Sequence, residues 1–191
     1  MSLNGWHVQY ATRLECDCIN KQLRYYSATM NIFHLSNCPT QSAKWLCDKH
    51  VVKMMLESCQ LLCTNYHLQG IEAPYKKTHP NHPSGIWCRE SSDNFKWLIE
   101  HTYAISEEYT LRYGKLHSCH KVLVWCDNNM CRLNFNKTEL TKFATAISQE
   151  SLCRQHPKFN DSDPVEKYRL YYLLDKKHLH SWKQNKPHWV E

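Results

Sequence analysis

Between positions 43 and 66 the chain has neither Gly nor Pro, and apolar residues recur at Ala43, Cys47, Val51, Met54, Met55, Cys59, Leu62 and Tyr66. Steps of three and four put these residues on one side of a helix, so the run predicts an amphipathic helix with one buried face. Pro39-Thr40 opens it, with Thr40 or Ser42 as N-cap, and it ends before Gly70. The charged positions do not all lie opposite the apolar face. At about 100° per residue, His50 and Glu57 fall within roughly 20° of one line, two turns apart. Lys53 lies between them on the same ridge, whereas Asp48 points to the other side and reads as structural.

The same pattern organises the rest of the chain. Ile32 to Leu35 is short and apolar and predicts an extended piece laid across helices. Residues 70–83 form a basic, His-rich loop stiffened by three prolines, Pro74, Pro80 and Pro83. Three-four spacing of Trp87, Asn94, Leu98, His101, Ile105, Tyr109 and Arg112 predicts helix over 83–113, broken at Ser91-Ser92-Asp93 with Ser92 as the second cap, and stopped at Gly114. A short helix is expected over 116–125, a turn at Asp127-Asn128-Asn129, and a further helix over 138–152. Asp163-Pro164-Val165-Glu166 is a helix start, with an Asp N-cap, Pro at N1 and Glu at N3, and that helix is expected to run to about His178. The expected fold is all-α: one compact multi-helix domain over 30–191, preceded by a segment of mixed polarity over 1–29 that reads as an extension or an upstream misreading of the start.

Composition narrows the class. Only 4 of 191 residues are Gly, which argues for helices over a turn-rich β fold. The net charge of +6, from 24 Lys and Arg against 18 Asp and Glu, permits a phosphate-rich partner. Eleven Cys occur without a CxxC pair, and no apolar run of about 18 residues could span a membrane. The expectation is therefore an intracellular protein of a reducing compartment, with most thiols free and buried and no membrane association.

Chemistry concentrates in four places. The ridge of His50, Lys53 and Glu57 offers a carboxylate and an amine beside an apolar wall, where a Glu can be tuned as proton acceptor or donor. The loop and following turn hold Lys76, Lys77, His79, His82, Trp87 and Arg89, charges for a phosphate backbone beside rings for stacking. His117, Cys119, His120, Cys126 and Cys131 lie close in sequence but match no standard zinc spacing, so neither a metal nor another cofactor is expected. The C-terminal region adds Arg169, Trp182, Lys183 and Lys186 as candidate partner contacts, while Tyr168, Tyr171 and Tyr172 read as core.

Asp48, His50, Val51 and Glu57 resemble a signature of the pyrimidine-dimer DNA glycosylases of the phage endonuclease V type, in which an Asp-x-His-apolar run precedes the catalytic Glu by seven residues after the His. Asn81-His82-Pro83 with Trp87, and the stretch Glu107-Glu108-Tyr109 with Arg112-Tyr113-Gly114, are similar to segments of related phage and bacterial proteins. Tyr168-Arg169-Leu170-Tyr171-Tyr172 looks like the aromatic, basic C-terminus of the glycosylases. The resemblance implies an all-helical, endonuclease V-like fold, a nucleotide flipped out of double-stranded DNA, a free amine that attacks the sugar C1′, and a Glu that assists base loss and strand cleavage. Glu57 carries over as that Glu and His50 as its helix neighbour. The family's amine belongs to a processed N-terminal residue; the corresponding region here is Met30-Asn31, with Lys53 or Lys49 as side-chain alternatives, and Leu56 stands where the family has a basic residue. The expected function is that of a monomeric N-glycosylase, with or without abasic-site lyase activity, on damaged or modified bases. The alternatives are a non-catalytic nucleic-acid-binding protein of viral or phage type and a small interaction protein with a structural zinc.

Overall fold

A computed structural model describes residues 30–191, and the 1–29 segment lies outside the described residues. Six α-helices are seen there: α1 (Pro39–Lys44), α2 (Asp48–Leu68), α3 (Pro83–Glu90), α4 (Ser92–Tyr113), α5 (His120–Asn128) and α6 (Pro164–Leu174), with 3-10 turns at Met130–Arg132, Leu152–Gln155 and Lys177–Leu179. No strand occurs among the described residues, so the all-α expectation holds.

The long run without Gly or Pro does not form one helix from Pro39. It divides at Trp45 to Cys47, where α1 ends and Cys47 becomes the extended N-cap of α2. Thr40 and Ser42 therefore cap nothing. Ser42 instead holds the N-terminal segment, accepting from the Leu35 N–H at 3.0 Å and donating to the Phe33 carbonyl at 3.0 Å. That segment, Ile32 to Leu35, is buried and belongs to no helix or strand, and a tight turn closes within it where the Leu35 N–H donates to the Phe33 carbonyl at 3.0 Å.

Helix α2 forms the centre. Its apolar face, including Val51, Met54, Met55, Cys59, Leu62 and Tyr66, is almost fully buried, and it packs against α3, α4 and α5. Each large apolar side chain so buried contributes about 1.5–3 kcal/mol. At α3 Gly85 permits close approach: a β-carbon there would meet Leu61 of α2 at 3.2 Å. The break between α3 and α4 falls where expected, but Ser91 is the cap in place of Ser92, accepting from the Asn94 N–H at 3.1 Å. Gly114 ends α4 in the left-handed region at φ 68°, where a side chain would be strained. Asp163 caps α6 through the Glu166 N–H at 2.9 Å.

Three further expectations fail. The short helix over 116–125 lies later, at His120–Asn128, so Asp127-Asn128-Asn129 is helix end in place of a turn. Helix α6 stops at Leu174, where the N–H groups of Asp175 and Lys176 both turn onto the Tyr171 carbonyl at 2.9 and 3.1 Å, and the Asp175 carboxylate accepts from the N–H groups of Leu152 and Cys153 at 2.7 and 2.9 Å. Residues 138–152 contain no α-helix. There the backbone bonds to core side chains: Thr141 N–H to Asn94 Oδ1 at 2.9 Å, and the Ala146 N–H and carbonyl to Tyr168 and Asn31 at 3.0 and 2.9 Å. These partners satisfy the amides that an α-helix would have paired internally, and they leave Phe143 buried among His34, Trp87 and Trp97.

All nine described cysteines are thiols, seven of them buried and only Cys38 and Cys131 exposed. No helix among the described residues is long and apolar enough to cross a membrane.

Candidate active site

Glu57 sits midway along α2, only 8% exposed, with both carboxylate oxygens engaged. One turn earlier, Lys53 places its ammonium 3.0 Å from Oε1, and the main-chain N–H of Asn31 donates to Oε2 at 3.0 Å. Asn31 is itself fixed: its side-chain amide donates to the Ala146 carbonyl, and its Oδ1 accepts from the Ile32 N–H and the Tyr168 hydroxyl, each at 2.8 Å. One asparagine thus draws three parts of the chain, the 31–35 segment, residue 146 and α6, onto the Glu57 carboxylate.

Burial pushes the Glu57 carboxyl above its usual range; the Lys53 ammonium, the Asn31 N–H and the charge of His79 pull it back. A carboxylate balanced between desolvation and these partners is chemically able to take up or release a proton. Lys53 keeps 28% of its side chain exposed, so the pair opens to solvent on the lysine side.

His50 lies on the same ridge but in a different setting. It is buried, stacked on Phe33 at 4.4 Å, with Nδ1 hydrogen-bonded to the Tyr172 hydroxyl. Burial, reinforced by the charges of Lys176, Lys53, His178 and His180, lowers its pKa to about 3, so the ring is neutral at pH 7. The structure therefore brings Lys53 and Glu57 together, and turns the hydrogen-bonding of His50 toward Tyr172.

The loop residues separate into exposed and buried sets. Lys76, Lys77 and His79 are exposed, and His82 accepts from the Ser84 N–H at 3.2 Å and so caps α3. Trp87 is 2% exposed and packed edge-on against His34 and Trp97, so it offers no ring face to a base. The expected stacking role for Trp87 is therefore corrected to a core role. Its period on the α3–α4 helical face was already the signal. Arg89 is half-buried, folded over Gly85 with Nη1 3.8 Å from where a β-carbon would sit.

At the C-terminus, Arg169 donates to the Leu35 carbonyl at 2.9 Å and lies over Trp45 and Trp189 at 5.2 and 5.8 Å. Trp182 is half-buried, donating to the Trp45 carbonyl at 3.0 Å. Lys183 and Lys186 are exposed.

The largest feature that sequence reasoning did not foresee is an ionic cluster at the start of α2. The Arg112 guanidinium, fully buried, binds Asp48 at 3.1 Å and Glu108 at 2.8 Å, and also donates to the Leu46 and Lys44 carbonyls at 2.8 Å. Asp48 further accepts from the Ser181 hydroxyl and the Lys183 N–H, and Glu108 accepts from Asn185. Its traces in the sequence were Asp48, turned away from the ridge and read as structural, and a charged residue, Arg112, in phase with the apolar face of α4. Asn31 was marked only by the resemblance, as the region of the family's N-terminal amine, and nothing local in the sequence points to its side-chain bonds with Ala146 and Tyr168. The Cys and His residues over 117–131 go separate ways: Cys126 lies against Cys63 at 3.8 Å, His120 bonds to Ser106, Cys119 accepts from Tyr75, and Cys131 is exposed. Among the described residues no three His, Cys, Asp or Glu side chains are placed to hold a metal ion.

The helix that carries Glu57, and the segment that reaches its carboxylate, can be set beside known proteins. Residues 30–121 match the family model of the pyrimidine dimer DNA glycosylases. The match spans just under half of the 191 residues and takes in Asn31, Lys53, Glu57 and the 70–83 loop, leaving α6 and the tail outside. No curated protein and no solved structure matches the chain.

Proposed function

We propose that this protein is a DNA N-glycosylase acting on damaged or modified bases in double-stranded DNA, with Glu57 as its catalytic carboxylate. The observation that carries this reading is the buried Glu57, held between the Lys53 ammonium and the Asn31 N–H on the helix inside the matched region. In the step we infer, a nucleotide is flipped from the duplex and a water molecule is set against its C1′. Glu57 takes the water proton as oxygen bonds to C1′ and the base departs with the electrons of the glycosidic bond. Lys53 keeps Glu57 ionised until that proton arrives. His50, neutral and fixed on Tyr172, holds the helix in register behind the site. The exposed Lys76, Lys77, His79, Lys183 and Lys186 supply charge for phosphates. The protein works as a monomer in a reducing intracellular compartment.

The test is base release from ultraviolet-irradiated duplex DNA by the full chain and by Glu57→Gln. The variant should bind DNA as well as the parent and release bases about 100-fold more slowly. Equal rates would remove Glu57 from the chemistry.

The Lys53 amine, 3.0 Å from Glu57, favours an added lyase step. The Asn31 main-chain nitrogen, also 3.0 Å from Glu57, is a peptide N–H in this chain and would be an α-amine only in a chain that began at Asn31. Borohydride trapping on abasic DNA, followed by mass mapping of the adduct, separates them: a Lys53 adduct, an N-terminal adduct, or none, the last leaving the water route alone. DNA binding without base release or trapping would favour the non-catalytic reading.

A further inference from the structure

Tyr168 is fully buried on α6, and a buried hydroxyl needs a partner. Its bonds form a closed circuit. The hydroxyl donates to Asn31 Oδ1 at 2.8 Å and accepts from the Ala146 N–H at 3.0 Å. The Asn31 side-chain amide completes the ring by donating to the Ala146 carbonyl at 2.9 Å. A phenylalanine would fill the same space beside Phe33 and His34, whose rings lie 6.0 and 5.7 Å away, without closing that ring. Packing alone does not call for the hydroxyl.

The circuit leads to Glu57. Asn31 Oδ1 also accepts from the Ile32 N–H at 2.8 Å, which locks the side chain of Asn31 to its neighbouring backbone. The main-chain N–H of Asn31 donates to Glu57 Oε2 at 3.0 Å. A hydroxyl that fixes the Asn31 side chain therefore fixes this N–H as well. Burial raises the Tyr168 hydroxyl far above its ordinary pKa, so it stays a donor while Glu57 gains or loses a proton.

We propose that Tyr168 is a positioning residue for Glu57: through Asn31 it sets the main-chain N–H on Glu57 Oε2 and holds the carboxylate in one orientation toward the attacking water. This rests on the glycosylase reading of Glu57. The charged and titratable groups that face Glu57 are Lys53 on α2 and His79 in the 70–83 loop. Tyr168 reaches it from a third element, by way of a residue that carries no charge. It lies outside the matched residues 30–121, so α6 completes the site from beyond them.

Tyr168→Phe in the full chain tests this in two ways: carbon-13 NMR of the Glu57 carboxyl, and single-turnover base release from ultraviolet-irradiated duplex DNA across pH. With Asn31 released, Oε2 loses a donor that favours its ionised form, and the carboxyl should titrate higher by up to about one pH unit. The parent's rate should rise with pH as Glu57 ionises, and in the variant that rise should move up by the same amount. Below it the variant is up to about tenfold slower, and above it the two rates meet. Should Tyr168→Phe fail to fold, Asn31→Ala opens the same ring from the other side and should give the same two shifts. A lower Tm with the carboxyl titration and the rate profile both unmoved would make the hydroxyl a core bond only, overturning the proposal while leaving the glycosylase reading intact. A parent inactive on this DNA would overturn that reading and the role in water attack; an unmoved carboxyl would then overturn the hold on Glu57 too.

Discussion

Helix α2 carries two buried carboxylates, Asp48 at its first turn and Glu57 at its middle, and they are treated oppositely. Asp48 meets a fully buried guanidinium, a hydroxyl and a main-chain N–H, and the Ser181 and Lys183 donors tie the tail to the helix start. Every oxygen is supplied, and the neighbouring Glu108 shares the same arginine. Glu57 has one donor per oxygen, one of them a lysine partly in solvent, and burial pushes its carboxyl up. The first carboxylate is locked by a network and the second is left adjustable. Saturated ionic networks hold folds together; carboxyls held between desolvation and a few partners are the ones that can exchange protons.

The largest expected effect lies at the locked end. Arg112→Met should leave Asp48 and Glu108 buried without their counter-charge and cost about 3–5 kcal/mol. For a chain of this size that is on the order of 10 °C in Tm, measured by calorimetry. A loss within error of zero would show the network to be dispensable and break the contrast. At the adjustable end, Glu57→Gln should do the reverse, losing about 100-fold in base release while keeping or slightly raising Tm. The sign follows from the raised carboxyl. Its unfolded form ionises first as pH rises, so at pH 7 the charge costs the folded state, and the cost shrinks as pH falls from the folded value toward the lower unfolded value, below which it is gone. A large drop in Tm would make Glu57 a structural residue like Asp48.

The histidines sharpen the same contrast through pH. Burial lowers His50 to about 3 and His101 to about 4, both below the unfolded value of 6.5. Their contribution is fully present above about pH 6.5 and is lost as pH falls toward the folded values. Urea unfolding between pH 7 and 4.5 should show stability falling by up to about 1.4 kcal/mol per pH unit for each of these rings. A flat profile would show that His50 is charged in the folded state, and would return it to the chemistry. The smallest effect is expected from Lys53→Met: less than about 1 kcal/mol in stability, because the lysine is partly exposed. The Glu57 carboxyl should then titrate higher by carbon-13 NMR, and an unmoved carboxyl would mean that Lys53 does not tune it.

Local pattern was enough for much of this protein. The three-four apolar spacing of α2 and α4, the Asp163-Pro164 start of α6 and the stop at Gly114 are one-dimensional signals, because helix periodicity, caps and left-handed glycine depend on neighbours within a turn. The ridge that brings Lys53 to Glu57 was legible for the same reason, as was the opposite orientation of Asp48. Three things were decided only by tertiary contact. Residues 138–152 lost their helix because Asn94, Asn31 and Tyr168, distant in sequence, satisfy the backbone there. Trp87 went into the core because His34, Trp97 and Phe143 close around it. Asn31 reached Glu57, and Thr78 was clamped by Thr64, across separations of 26 and 14 residues that no local period encodes. Helical periodicity determined which residues share a ridge; long-range hydrogen bonds decided which of those residues were buried and held by distant parts of the chain.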